Sequence, residues 1–477
     1  MKSYEQYKPS GVAWLGDVPE HWEVKRLKYL LAEKLKYGAN ESAELDDKDL
    51  PRYIRITDIR EDGKLKEETF KSLEYEKAEE YLLDNFDILL ARSGATVGKS
   101  YLYKKSLVGV ACYAGYLIRA RFKQEISNPE FINYVFQSNF YSAWVKAVNI
   151  QATIQNVSAE KYNEFTLALP PLEEQIAIAT YLDERTAYLD RLIAKQQALS
   201  EKLSEKRTAL ITEAVCGRVK ISPDLCLQKK GIVLSGNQIT EQKSIKKSLL
   251  FSKEGLGEIG FKDSGIQWLG KIPEHWEVKR LKFVGELQGG IGFPHDYQNI
   301  QDLEFGFYKV GDLGLSENNR DMPKAQHTVS IEIADKLGAK IIPENSILYA
   351  KVGAALLLNR RRITGEKCCI DNNMTAFIPD VKQILPIWAF YTLSIIDFKI
   401  LVNPGAIPSL SEGYQKNLSI PMPNLEEQTA IAAFLDKETA KIDCLQAKIA
   451  ESIARLKEYR SALITQVVTG KIKVQGV

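Results

Sequence analysis

Residues 172–192 read LEEQIAIATYLDERTAYLDRL, and residues 425–445 read LEEQTAIAAFLDKETAKIDCL. Leu172 and Leu425 stand 253 positions apart, and the offset holds through both copies. Gln175 maps on Gln428, Asp183 on Asp436, Asp190 on Asp443 and Gly217 on Gly470. Each copy follows a proline-marked approach, Pro170-Pro171 or Pro421-Met-Pro423, which ends what precedes it and suits a first helical turn. Each closes on a glycine, a common helix stop. Apolar residues recur seven apart in both copies. The first has Leu182, Leu189, Leu203 and Leu210, with Gln196 in the same register, and the second has Leu435, Ile442, Ile449, Leu456 and Leu463. Ile178, Leu192 and Leu199 supply a second column, and Ile431, Leu445 and Tyr459 fill the matching column of the second copy. A seam this narrow buries only against another helix of its kind, and the economical partner is the other copy in the chain. Two helices of about 40 residues, roughly 60 Å each, are predicted. Two unrelated amphipathic helices, each covering its own domain, would leave the match between the copies unexplained.

The duplication is wider than the helices. Residues 10–29, SGVAWLGDVPEHWEVKRLKY, return at 264–283 as SGIQWLGKIPEHWEVKRLKF, with Trp22 and Trp276 offset by 254. A period this long excludes a solenoid and means two copies of one module, each a globular part followed by a long helix. Trp14, Leu15, Trp22, Val24, Leu27 and their mates read as packing residues. His21 and His275 each follow a glutamate, but a turn with an anchoring tryptophan explains the PEHW element better than a general base does.

The chain's 477 residues suffice for roughly three domains' worth of core. A hydrophobic share of 45% and a charged share of 26% argue for a folded protein over a disordered one. With 64 Lys+Arg against 62 Asp+Glu, no global field announces a nucleic-acid partner, so a DNA reader needs local basic patches. The cysteines Cys112, Cys216, Cys226, Cys368, Cys369 and Cys444 form no CxxC pair, and histidines number four, so no metal site is expected. Free thiols and a polar start, MKSYEQYKPSG, suggest a reducing, cytoplasmic setting. No apolar run of about 18 residues exists to span a membrane.

Within the first globular part, Arg52-Tyr-Ile-Arg55-Ile-Thr-Asp58 alternates like a half-buried strand, with Phe307-Tyr-Lys309-Val-Gly-Asp312 as its mate. A second strand, Asp87-Ile-Leu-Leu-Ala-Arg92, enters the glycine-rich turn Ser93-Gly94-Ala-Thr-Val-Gly98-Lys99, and Ser346 to Gly353 repeats it with Lys351. Strand-like stretches follow near 112–122 and 368–379, then an aromatic-rich helix near 129–147 and 384–400. Short segments at 152–158 and 405–411 lead into the long helices. The mixture predicts an α+β module on a mainly antiparallel or mixed sheet. Residues 221–260 have no counterpart and read as a connector.

Ser93 to Ser100 resembles a phosphate loop, but Ser93 stands where the first glycine must be, and the repeat mate has no Gly-Lys. A turn that carries Arg92 and Lys99 to a DNA backbone fits better. The glycine cluster Gln288-Gly-Gly290-Ile-Gly292 is weak evidence for a nucleotide-binding turn. No aromatic-flanked Asn/Asp-Pro-Pro motif for methylating an exocyclic amine appears, nor a nuclease-like carboxylate pair with lysine, so no catalytic residue is assigned. Basic residues do cluster in the globular parts: Arg52, Arg55, Arg92 with Ser93, and Lys99 in the first, and Lys309, Lys351, Arg360, Arg361 and Arg362 in the second. Arginine can take guanine bidentately, and lysine can hold phosphate.

Two WLG-x-x-P-x-x-W segments, two strand-to-turn A-R/K-x-G elements and the twin helices opened by Glu174-Gln175 and Glu427-Gln428 resemble the specificity subunit of type I restriction–modification enzymes. The resemblance covers nearly the whole chain in the family's order. It implies an α+β fold of two similar target-recognition domains, held apart by two long helices packed as an antiparallel coiled coil with pseudo-two-fold symmetry. The expected division is 1–168 for the first recognition domain, 169–220 for its helix, 221–260 for the connector, 261–420 for the second domain and 421–477 for its helix. Each domain is then expected to read half of a bipartite double-stranded DNA site. Two methyltransferase (M) subunits and two restriction/motor (R) subunits are the implied partners. S-adenosylmethionine, ATP and Mg are expected in those partners, and no cofactor in this chain. A scaffold joining two proteins and a self-contained restriction–methylation enzyme are the alternatives.

Overall fold

The computed structural model describes residues 3–42, 44–60, 63–94, 97–149, 156–219, 260–316, 320–402 and 407–474. The predicted connector, apart from Gly260, lies outside the described residues. So do Ala95-Thr96 of the glycine-rich turn and residues 152–155 and 405–406 of the short segments before the helices.

The chain forms two compact units, Met1–Ala198 with Ile449–Val477, and Leu199–Lys448. Both divisions fall inside a long helix, so each unit contains the beginning of one helix and the end of the other.

In the first unit, β1 (Glu23–Arg26) pairs antiparallel with β8 (Thr166–Leu169), closing the globular part at its base. The central sheet runs β2 (Lys36–Tyr37), β7 (Leu117–Ala120), β4 (Ile88–Ala91), β5 (Ser100–Leu102), all antiparallel. Beside it β3 (Arg52–Ile54) and β6 (Ala111–Tyr113) pair in parallel. Alternation gives way to full burial in β4, because both of its faces are covered. Helices α1 (Pro129–Val135) and α2 (Asn139–Ala147) start on Asn128 and Ser138, whose side chains accept from Phe131 N–H and Tyr141 N–H.

The second unit repeats this plan. The base pair is β9 (Glu277–Arg280) with β16 (Ser419–Met422). The sheet runs β10 (Gly285–Gly289), β15 (Met374–Pro379), β12 (Ile347–Ala350), β13 (Arg361–Ile363). The parallel pair is β11 (Phe305–Tyr308) with β14 (Cys368–Ile370), and α4 (Pro386–Ile395) covers the sheet.

The two long helices are α3 (Leu172–Val215) and α5 (Leu425–Val468), 44 residues each. Glutamates fill both first turns, where the helix dipole favours them. In the first unit Asp190 meets Arg460 at 3.0 Å and Gln196 meets Ser452 at 3.0 Å. In the second, Ser204 meets Gln446 at 2.7 Å and Arg207 meets Asp443 at 3.3 Å. The partner's number falls as the first rises, so the pairing in each unit is antiparallel. Leu182, Leu189, Ile442, Leu435 and Leu463 are buried, whereas Leu203, Leu210, Ile449 and Leu456 are half-buried. The second column is corrected at its far end: Leu199, Leu445 and Tyr459 are 50%, 50% and 48% exposed. Here the facing surfaces are polar, built from Gln196, Ser200, Ser204, Gln446 and Ser452, and hydrogen bonds replace a wide apolar seam.

The terminal glycines do more than end helices. Gly217 (φ +71°) and Gly470 (φ +69°) are left-handed, and a Cβ on either would strike the proline of the PEHW turn. Gly217 lies against Pro273 and Trp276, and Gly470 against Pro19 and Trp22. Each helix thus ends on the tryptophan turn of the other half-chain. Trp22 shares a core with Leu463, Ile464, Val467 and Val468, and Trp276 with Ile211, Ala214 and Val215.

Candidate nucleic-acid interface

The paired sequence motifs first build a rigid base under each module. Glu174 is buried and accepts from Tyr4 Oη and, at 2.9 Å, from His21 Nε2. Its mate Glu427 is met by His275 Nε2 at 2.9 Å and by Trp276 Nε1 at 3.2 Å. The PEHW histidines therefore hold helix starts in place, in line with their reading as part of an anchoring turn. Burial and the Glu174 carboxylate push the Tyr4 hydroxyl well above its ordinary pKa, so it stays a donor. Gln175 donates to Pro170 O and Ile126 O at 2.8 and 3.0 Å and accepts from Asn128 N at 2.7 Å. Gln428 does the same with Pro423 O, Gln383 O and Leu385 N. Asp183 and Asp436 accept from Tyr134 and Tyr391. These contacts lock α3 to α1 and α5 to α4, so the globular part is carried rigidly by its helix.

The opposite ends of β4 and β12 carry the cations. Arg92 follows β4, its N–H donates to Tyr116 O at 3.1 Å, and its guanidinium lies 4.7 Å from the Tyr37 ring centre. Arg92 Nε is buried without a hydrogen-bond partner among the described residues. Ser93 forms a strand bridge with Asn156. Lys99 Nζ reaches Ile59 O at 3.4 Å. In the second unit Lys351 N–H donates to Asn373 O at 2.8 Å, and Val352 bridges Ser409. Arg92 and Lys351 thus share a matched position at the rim of a sheet, and Ser93 and Val352 share the next one.

The remaining basic residues are elsewhere. Arg52 is buried at the start of β3, on Glu67 at 2.8 Å and Lys66 O at 2.8 Å. Arg55 grips Asp58 through two nitrogens and Thr69 O through a third contact. Lys309 bonds Gln298 at 3.0 Å, and its backbone N–H bonds Asp312. Arg360 is exposed, but Arg361 and Arg362 belong to β13 and are 2% and 5% exposed. Arg361 donates to Ile396 O at 2.6 Å and Asn359 O at 2.5 Å and stacks 3.7 Å over the Phe398 ring. Burial pulls its guanidinium down to about 9. The expected Arg360–Arg362 DNA patch is therefore corrected to one surface residue and two buried ones, because the triplet enters a strand whose faces are covered. The Gly290 cluster is also structural: a Cβ at Gly290 would lie 2.0 Å from Asp371 O, and one at Gly38 2.3 Å from Tyr113 O.

Sequence reasoning missed Tyr37, Tyr116 and Asn156, exposed residues that meet Arg92 or its neighbour Ser93. The signal was present, since Tyr37-Gly38 aligns with Gly289-Gly290 ahead of matched strand crossings. An arginine fork with tyrosine and asparagine neighbours is chemistry suited to base edges. Among the described residues no group of three or more His, Cys, Asp and Glu forms a metal site, and no helix is long and apolar enough to cross a membrane.

The model of the type I restriction modification DNA specificity domain matches this chain twice, at residues 19–203 and 273–455. The chain belongs to this specificity family. The MjaVIII specificity subunit of Methanocaldococcus jannaschii is 24% identical over 481 residues, covering 96% of this chain and 95% of that protein. The EcoBI specificity subunit of Escherichia coli is 21% identical over 345 residues, covering 70% and 64%. A solved structure described as the basis of complex assembly and conformational transition of the type I R-M system has a similar fold. Its TM-score is 0.62 at 18% identity, with 95% of this chain and 99% of that one covered. As a specificity subunit the chain is a recognition component, not a catalyst, which sets aside the scaffold and the self-contained enzyme.

Proposed function

We propose that each unit reads one half of a bipartite double-stranded DNA sequence, and that the paired helices set the spacing of the halves and dock two methyltransferase subunits. Two restriction/motor subunits then complete a cytoplasmic assembly. In this reading S-adenosylmethionine, ATP and Mg are bound by the partners, and this chain supplies only recognition. The observation that carries the proposal is the double match to a DNA specificity domain on a duplicated module whose base is rigidly locked to its helix. The test is methylated-adenine mapping of DNA modified by the assembled complex, with residues 30–160 or 285–415 exchanged for those of a relative. Each exchange should change one half-site and leave the other. A single exchange that alters both halves overturns the proposal.

One heptad inserted at matched positions in α3 and α5 should lengthen the gap. Seven residues preserve the seam columns and add about 10 Å at 1.5 Å per residue. That is roughly three base pairs at about 3.4 Å each. An active variant that methylates only the parental spacing would show that the helices are not the ruler.

A further inference from the structure

The rims of the two central sheets share one backbone frame. Ala39 N–H donates to Tyr113 O as Ile291 N–H does to Ile370 O. Gly38 N–H reaches Leu117 O as Gly290 N–H reaches Met374 O, both at 3.3 Å. Val157 N–H donates to Arg92 O and Leu410 N–H to Lys351 O, at 2.8 and 2.9 Å. Beneath the rim the matched residues stay apolar: Ala91 with Ala350, Leu117 with Met374, Val157 with Leu410. On the rim they differ: Tyr37 against Gly289, Tyr116 against Asn373, Asn156 against Ser409.

Two of the positions that differ lie against each other in both units. Where residue 37 is an aromatic ring, the cation beyond the neighbouring strand is Arg92, and its guanidinium lies over that ring. Where the matched residue is Gly289, the cation is Lys351, and its Nζ stands 3.0 Å from the place a Cβ would take. The lysine fills the space that the ring fills in the other unit. An arginine laid on an aromatic face keeps its planar fork fixed in direction, whereas a lysine over a glycine is a point charge on a flexible stem.

We infer that residues 37 and 92 of the first unit, and 289 and 351 of the second, are coupled specificity determinants. Tyr37 is the positioning residue that aims the Arg92 fork at the O6 and N7 edge of a guanine. This rests on the reading of each unit as a half-site reader. The Tyr37 hydroxyl accepts from Ala159 N–H at 3.1 Å, so the ring is itself fixed, and its role in aiming Arg92 is separable from that bond.

The test maps methylated adenines on a randomised duplex pool, using the full chain assembled with its methyltransferase partners. Arg92→Ala should relax one G·C position of the first half-site by about 10-fold or more. Tyr37→Gly should relax the same position, and Tyr37→Phe, which keeps the ring, should not. The pair Tyr37→Gly with Arg92→Lys should take on the base preference of the matched position in the second half-site. The untouched half-site reports that each variant is folded and assembled. Equal weakening on every sequence would make Arg92 a phosphate contact and overturn the inference. So would an unchanged half-site in Arg92→Ala, or relaxation at a different position in Tyr37→Gly. If the unmodified chain itself selects no bipartite site, it is the half-site reading that fails.

Discussion

The two units keep the same residues at their base and different ones on the sheets they carry. Gln175 and Gln428, and Tyr134 and Tyr391, repeat their bonds almost atom for atom, and Glu174 and Glu427 both take the histidine of the PEHW turn. Even the bridges between the long helices are reciprocal, with Asp190 on Arg460 in one unit and Arg207 on Asp443 in the other. At the foot of the central strand the chemistry changes. Asp87 is held by Arg121 through two contacts of 2.7 Å, while the matched Ser346 has Ile378 in place of the arginine and donates its backbone N–H to the Thr364 hydroxyl oxygen at 3.0 Å. An arginine on a buried carboxylate and a serine beside an isoleucine thus serve the same fold, as expected where desolvation offsets most of the Coulomb gain. The lesson is that the fold depends on the anchors at the base, while the sheet tolerates exchange of whole polar groups.

Glycine substitution should break the likeness most sharply. Gly38→Ala and Gly290→Ala drive a Cβ into backbone oxygens and should cost at or above the roughly 1–3 kcal/mol of ordinary overpacking. Gly292→Ala, two residues on, meets nothing within 4 Å and should change stability by under about 0.5 kcal/mol. Urea unfolding of the three variants checks this, and equal losses would remove the steric argument.

Next in size is the ion pair. Arg121→Ile leaves the buried Asp87 carboxylate with little but a backbone partner and should destabilise the first unit by about 3 kcal/mol. The double change Asp87→Ser with Arg121→Ile, which installs the residues that the second unit has at the matched positions 346 and 378, should recover most of that loss. If it does not, the two sheets are less alike than their registers indicate.

Gln175→Leu and Gln428→Leu should each cost about 2 kcal/mol, since each strands one backbone donor and two carbonyls. Matched losses are expected, and a gap of more than about 1 kcal/mol between them would show that the anchors are not equivalent. Smallest should be the coupling of Asp190 to Arg460 and of Asp443 to Arg207. Double-mutant cycles are expected to give no more than about 1 kcal/mol for each, because both pairs are partly solvated.

Much of this architecture was legible in the sequence because repetition and a seven-residue period are local signals. The helices followed from residues close together in the chain, and their pairing and the two modules from the match between the two copies. The outer seam column failed at Leu199, Leu445 and Tyr459, since a period gives the face of a helix but not the polarity of what opposes it. Arg361 and Arg362 misled for a similar reason: their backbone acceptors include Ile396 O, 35 residues from Arg361, and nothing in an arginine triplet announces that. The Tyr37–Arg92 contact joins strands that are not adjacent in sequence, and only alignment of the two halves exposes it.

The resting of each helix end on the opposite tryptophan turn also sets a timetable for synthesis. The second unit is one continuous stretch, Leu199–Lys448, and has all its parts as soon as that stretch is made. The first unit is not continuous. Trp22 leaves the ribosome early, but Leu463, Ile464, Val467 and Val468, which complete its core, come about 440 residues later. At about 5–20 residues per second that is a wait of roughly 20–90 s with an apolar face uncovered. The module made first is therefore finished last, and the nascent N-terminal half is where chaperone binding and premature association should concentrate.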